Sequence, residues 1–233
     1  MGSRVGIKQC NGSNWHNRLV YIPRHFDISE WNEITGFVAR ARAADLVTVS
    51  PTGLPVATLM PCVWDTSLID ESDFGRLVMH MAKANPQWKS INSGTQGLAI
   101  IHGAQAYVSP SNYEGKLTDH KVVPTWNYQS VHLSGVVEVS EDIELLRQIV
   151  SALTDLHETE RDTPWSVLEA DPKYLNAQLH GIVAVTLRVT NVEAKYKLSQ
   201  NRSIEDRQRV IADLASSQLT DSLVISLEME KTL

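Results

Sequence analysis

The stretch His102-Gly-Ala-Gln-Ala-Tyr107-Val-Ser109-Pro110-Ser111-Asn-Tyr113, followed by Val122-Val-Pro124-Thr125-Trp126-Asn127-Tyr128-Gln-Ser-Val-His132-Leu-Ser134-Gly135, decides how the chain is read. Core strands are built chiefly from Val, Ile and Leu. Here short extended pieces carry Tyr107, Tyr113, Tyr128, Trp126, Asn112, Asn127, His102 and His132 instead. Each polar tip buried without a partner would cost about 1–3 kcal/mol. The tips therefore either bond to one another, stiffening an interface between strands or subunits, or face a ligand. A flat conjugated ligand with polar substituents suits them, because aromatic faces stack on it while amides and hydroxyls reach its edges.

Composition bounds the rest. The chain has 233 residues, 42% hydrophobic and 21% charged, as expected of an ordinary globular protein of one domain or two small ones. Net charge is −6 and no basic run exceeds two residues, which argues against DNA gripping as the main task. The two cysteines, Cys10 and Cys62, fit a reducing compartment. With no Cys-x-x-Cys pair or Cys/His zinc spacing, no metal site is expected. Cys62 lies in an apolar strand and reads as a buried small hydrophobe. No apolar run reaches the roughly 18 residues that a membrane helix needs. The N-terminus has no apolar core typical of a secretory signal, so the expected location is cytoplasmic.

Along the chain, residues 1–18 read as a loose extension, 19–216 as a single domain with helical additions, and 217–233 as a tail or one further short element. Asp27 and Ser29 are cap candidates for a helix reaching about Arg42. Strands are predicted at 46–50, 56–64, 76–81, 98–103, 106–109, 130–139, 182–189 and 194–198, and Pro51-Thr52-Gly53 turns the first into the second. Pro61 argues for an edge or a bulge. Asn85-Pro86 starts a short helix to Ser90. Helices follow at 142–157, 174–179 and 204–216, the last capped by Ser203. No β–α–β alternation with a Gly-rich turn occurs, which argues against a dinucleotide fold. An α+β fold results: antiparallel strands closing into a small barrel, with helices outside.

Several phrases carry a resemblance. Ala106-Tyr-Val-Ser-Pro-Ser, Val123-Pro-Thr-Trp-Asn-Tyr, Lys197-Leu-Ser-Gln-Asn-Arg202, Tyr21-Ile-Pro-Arg-His-Phe26, Ala82-Lys-Ala-Asn-Pro-Gln-Trp88 and His180-Gly-Ile-Val183 fall in the order found in the PaiB family, over about residues 21–213. That family comprises bacterial FMN-binding split-barrel proteins named as negative transcriptional regulators. The resemblance implies a small antiparallel split β-barrel with flanking helices, a homodimer, and FMN in the grooves between subunits. DNA enters as a partner only through the family's regulator name. It also implies an alternative: some PaiB-like proteins resemble haem-dependent piperazate synthases, which close an N–N bond on a hydroxylated ornithine. Other split barrels are flavin reductases or pyridoxamine-phosphate oxidases.

The expected site residues follow from both readings. Trp126 and Tyr107 are candidates to stack on the isoalloxazine, with Ser109, Asn127 and His132 beside them. Lys83 and Asn85, at the start of the Pro86 helix, form a candidate phosphate seat, because free N–H groups there attract an anion and a lysine adds charge. The family phrase around them brings in Trp88, Lys89 is a second anion partner, and Arg202 can grip a phosphate in a bidentate fork. In the alternative with haem b, His132 or His80 would be the axial ligand. The chain departs from the family at Gln105, where a histidine is usual, and at Leu59, where some relatives have one. Neither residue can ligate iron. Each cation and histidine also has a plain reading as a salt bridge, a cap or a hydrogen-bonded surface group.

Overall fold

A computed structural model describes residues 19–67, 69 and 73–233. The expected extension 1–18 lies outside them. The strands are β1 (Asp27–Ile28), β2 (Ala43–Val49), β3 (Pro55–Pro61), β4 (Val63–Asp65), β5 (Arg76–Ala82), β6 (Gln96–Val108), β7 (Thr125–Ser140) and β8 (Ile182–Lys197). The helices are α1 (Trp31–Ala41), α2 (Gly115–Thr118), α3 (Ile143–Glu158), α4 (Pro172–Leu179), α5 (Ile204–Ala215) and α6 (Thr220–Glu230). The sheet runs in the order β3-β2-β6-β7-β8-β5-β4, with β1 paired to β8. This is the α+β class of antiparallel barrel strands with outer helices that the strand spacing predicts, in the split form that the family resemblance implies.

Four expected strands become two. Residues 98–103 and 106–109 form the single strand β6, and 182–189 and 194–198 form the single strand β8. The polar and small residues between the apolar runs keep their place in the ladder, where backbone pairing does not require an apolar side chain. Strand β7 likewise starts five residues before the predicted Ser130, so it includes Trp126, Asn127 and Tyr128. The segment 217–233 holds a full helix, α6, with Ile225 and Met229 buried.

The chain divides into two compact units. One comprises Thr35–Ile101 and His132–Val192. Here the β2–β3 hairpin closes at Gly53, whose positive φ of 83° suits a residue without Cβ. Strand β3 lies at the end of the sheet path, as Pro61 required. Asp142 caps α3 by accepting from the Glu144 and Leu145 N–H groups. The apolar stripe Leu146, Ile149 and Leu153 then packs with Leu179, Ala184, Val63 and Val78. Cys62 is 2% exposed and burial pushes its thiol up to about 12, so it is the inert core residue expected from its strand.

The other unit comprises the described residues up to Ile34, with His102–Val131 and Glu193–Leu233. Ser203 caps α5 by accepting from the Asp206 N–H. Helices α5 and α6 pack together through buried Val210, Leu214, Ile225 and Met229. The turn after β6 is tied to α5 by Asn112 Nδ2 donating to Asp213 Oδ2 at 2.9 Å and by Arg209 Nε donating to the Asn112 carbonyl at 2.9 Å.

Gly135 marks the tightest strand approach in the first unit: a Cβ there would strike the Arg188 carbonyl of β8. Backbone cannot move aside as a side-chain tip can. Gly135→Ala is expected to destabilise the fold by about 2–3 kcal/mol, read from the midpoint of chemical unfolding.

Candidate functional site

Alternation along the strands sorts the residues of the second unit. On β6, Ala106 and Val108 are buried, at 3% and 0%, which leaves Gln105 and Tyr107 on the open face. On β7, Asn127 and Gln129 point inward at 0% and 5%, while Trp126 is 47% exposed. Trp126 Nε1 donates to Gln105 Oε1 at 3.0 Å, and its ring lies 6.4 Å from that of Tyr107, tilted by 59°. A groove of about 740 Å³ opens there, lined by Gln105, Tyr107, Trp126, the α5–α6 connection at Ser217 and Leu219, and Asp221 in the first turn of α6. That volume lies within the roughly 300–1,000 Å³ typical of small-molecule sites.

Asn127, expected at a cofactor, faces the interior. Its Nδ2 donates to Ser199 Oγ at 3.0 Å and to Met229 Sδ at 3.4 Å. Gln129 Nε2 donates to Glu228 Oε2 at 3.3 Å. Both amides hold α6 against β7 and neither belongs to the open face. Ser109 caps the turn Pro110–Asn112 by accepting from the Ser111 N–H. Arg202 lies with its guanidinium carbon 4.3 Å from the Tyr113 ring centroid. Burial pushes the Tyr113 phenol up, and the Arg202 charge opposes that.

The first unit holds the other candidates. Lys83 Nζ is paired with Glu141 Oε1 at 2.5 Å, so it is not a free cation. Asn85 caps the turn Pro86–Ser90 as expected, accepting from the Gln87 N–H, and its Nδ2 donates to Thr58 Oγ1 at 3.0 Å. That turn is a five-residue 3-10 helix, too short for a developed dipole. Trp88 is half-buried and its indole N–H donates to the Lys83 carbonyl at 3.1 Å. Lys89 is exposed. His132 is half-buried on β7 between buried Val131 and Leu133, on the polar side that its alternation predicted.

His80 shares its β5 face with Val78, which packs on the α3 core, and its register partner is Ala184 of that core. Burial depresses its pKa, and its buried Nδ1 has no hydrogen-bond partner among the described residues. A neutral ring in an apolar setting is the result.

Sequence reading missed Gln87. It is 3% exposed, accepts from Thr58 Oγ1 at 2.6 Å and donates from Nε2 to the Leu46 carbonyl, Thr48 Oγ1 and the Val56 carbonyl. It ties the turn Pro86–Ser90 to β2 and β3. A polar residue right after a proline at a helix start was the only signal, and it does not say where the side chain goes. The Lys195–Lys197 alternation on β8 was also missed.

A sheet of this order with these helices is the split-barrel architecture of flavin- and haem-binding proteins. The chain is similar to the FAD and heme binding protein from Mycobacterium smegmatis, with a TM-score of 0.54 at 16% identity over 78% of each chain. It is also similar to the flavocytochrome Anf3 from Azotobacter vinelandii, with a TM-score of 0.51 at 14% identity over 76% of this chain and 72% of that one. Residues 20–191 match the family profile described as "Putative FMN-binding domain". The chain is 33% identical over 214 residues to Protease synthase and sporulation protein PAI 2 of Bacillus subtilis (strain 168), covering 92% of this chain and 98% of that protein. The protein belongs to this PaiB-like, FMN-binding family.

Two outcomes test the packing. Gln87→Ala leaves three acceptors without their donor and is expected to cost about 3 kcal/mol in chemical unfolding. The depressed His80 pKa gives stability that is fully present above the unfolded value of 6.5 and is lost as pH falls through the folded one. The unfolding free energy should therefore drop less steeply below pH 6.5 in His80→Met than in the parent.

Proposed function

We propose that the protein is a cytoplasmic FMN-binding split-barrel protein of the PaiB type, acting as a homodimer in redox-responsive repression. The observation that carries the flavin part is the half-exposed Trp126 ring, fixed by Gln105 beside Tyr107 at the mouth of a groove of about 740 Å³. An indole held at one angle with a free face fits a flat ring system better than a packing role. The groove also contains Asp213 and Asp221, which disfavour a phosphate there. The isoalloxazine fits the Trp126–Tyr107 end, and Arg202 is the candidate of this unit for the phosphate.

Bound FMN would supply reversible electron transfer, while Trp126, Tyr107 and Gln105 orient and shield its ring. The regulator part draws on the family's name and on the relative named for protease synthesis and sporulation. Support for the homodimer comes from α6 and the residue before it. Leu219, Leu223 and Leu227 are spaced by four and are 69%, 39% and 57% exposed, an apolar stripe without cover among the described residues.

FMN titrated into flavin-free protein should quench tryptophan fluorescence saturably, and Trp126→Ala should weaken binding by about tenfold, the value of one lost stacking contact. Light scattering on the same sample should give twice the chain mass. Protein that purifies colourless and does not respond to FMN would sink the flavin reading, and a Soret band on adding hemin would move it to haem.

A further inference from the structure

Strand β8 carries Lys195 and Lys197 two positions apart, hence on one face and roughly 7 Å from each other. Both are half-buried. Lys195 Nζ donates to the Tyr21 carbonyl at 2.9 Å and lies 5.6 Å and 5.4 Å from the Tyr21 and Tyr128 ring centroids. Lys197 Nζ donates to Thr125 Oγ1 at 2.5 Å and to the Trp126 carbonyl at 2.6 Å, and lies 6.0 Å from the Phe26 ring centroid. Burial lowers the Lys197 pKa, and the charges of Lys195 and Arg202 lower it further.

Among the described residues, no carboxylate forms an ion pair with Lys195, Lys197 or Arg202. The carboxylates closest along the ladder are Glu193, which accepts from the Val20 N–H, and Asp27, whose register partner is Lys195, and neither is ion-paired to the two ammonium groups. Two like charges on a half-buried face repel, and the ring faces offset only part of that. Every other partner of these ammonium groups is a neutral oxygen. An ammonium has three donors, so one remains on Lys197 and two on Lys195, counting the bonds above.

We propose that Lys195 and Lys197, framed by Tyr21, Phe26 and Tyr128, form a seat for the phosphate group of a small molecule. A phosphate dianion matches two lysine charges, and its oxygens accept from three donors without the planar fork that a carboxylate prefers from arginine. The framing rings give the organic part of such a molecule an apolar surface. The seat is argued from its own residues and does not depend on the flavin reading. Its phosphate comes either from a free phosphate ester or from FMN itself.

Inorganic phosphate titrated calorimetrically into flavin-free protein at low salt should bind saturably. Lys195→Gln should weaken it roughly tenfold, the value of one charged hydrogen bond, and Lys195→Arg should restore most of the affinity. The double variant K195Q/K197Q should lose binding altogether. Lys195→Gln alone carries the test if the double variant fails to fold, because the Lys195 ammonium touches only one backbone oxygen. No saturable binding in the parent, or equal affinity in Lys195→Gln, overturns the seat. Comparing FMN with riboflavin separates the two sources. If Lys195→Gln erases the preference for FMN, the seat holds the flavin phosphate. If the preference survives while phosphate binding falls, the seat serves a separate phosphorylated molecule.

Discussion

The amide of Asn127 fixes the working face of the protein. It is fully buried, bonded in both directions to Ser199 and closed by the Met229 thioether of α6. An amide so placed cannot rotate outward without leaving buried donors and acceptors unpaired. Because side chains alternate along a strand, locking Asn127 inward turns Trp126 and Tyr128 outward. Ser199 reaches the amide from a left-handed backbone position, φ 63°, which costs strain that the buried hydrogen bonds offset. The rings on the open face owe their direction to a bond on the hidden one.

Electrostatics then divide that unit. Asp213 of α5 and Asp221 of α6 line the groove beside Trp126, whereas the Lys195 and Lys197 ammonium groups hydrogen-bond only to neutral oxygens. In the other unit Lys83, a candidate for a phosphate, is neutralised by Glu141, and Asn85, which caps its turn as expected, is held further by Thr58. Positive charge available to an anion is thus set by pairing within each unit, and counting lysines does not predict it.

Much of the architecture was legible in the sequence. Ser203 and Asn85 announced helix starts because their side chains answer the free N–H groups of a first turn, a purely local requirement. Pro61 announced an edge because it lacks a donor. The mergers into β6 and β8 were not legible, since strand continuity there depends on neighbouring strands that lie far away in sequence. Helix α6 was ambiguous for a similar reason: its leucines and methionine match a helix, but only packing on α5 decides which side is buried.

For the site, the sequence by itself determined which chemistry is present: rings and amides at 105–128, candidate cations at 83, 89 and 202, and phrases sufficient to fix the family. In the sequence Trp126 and Asn127 stand side by side as candidates at the ligand, because the predicted strand begins only at Ser130 and leaves their alternation unread. Only the tertiary structure decided which face is open, which amides are consumed by α6, and which lysines have a carboxylate beside them. Those outcomes rest on contacts between residues distant along the chain, such as Asn127 with Met229 and Lys83 with Glu141, and local propensity carries no information about them.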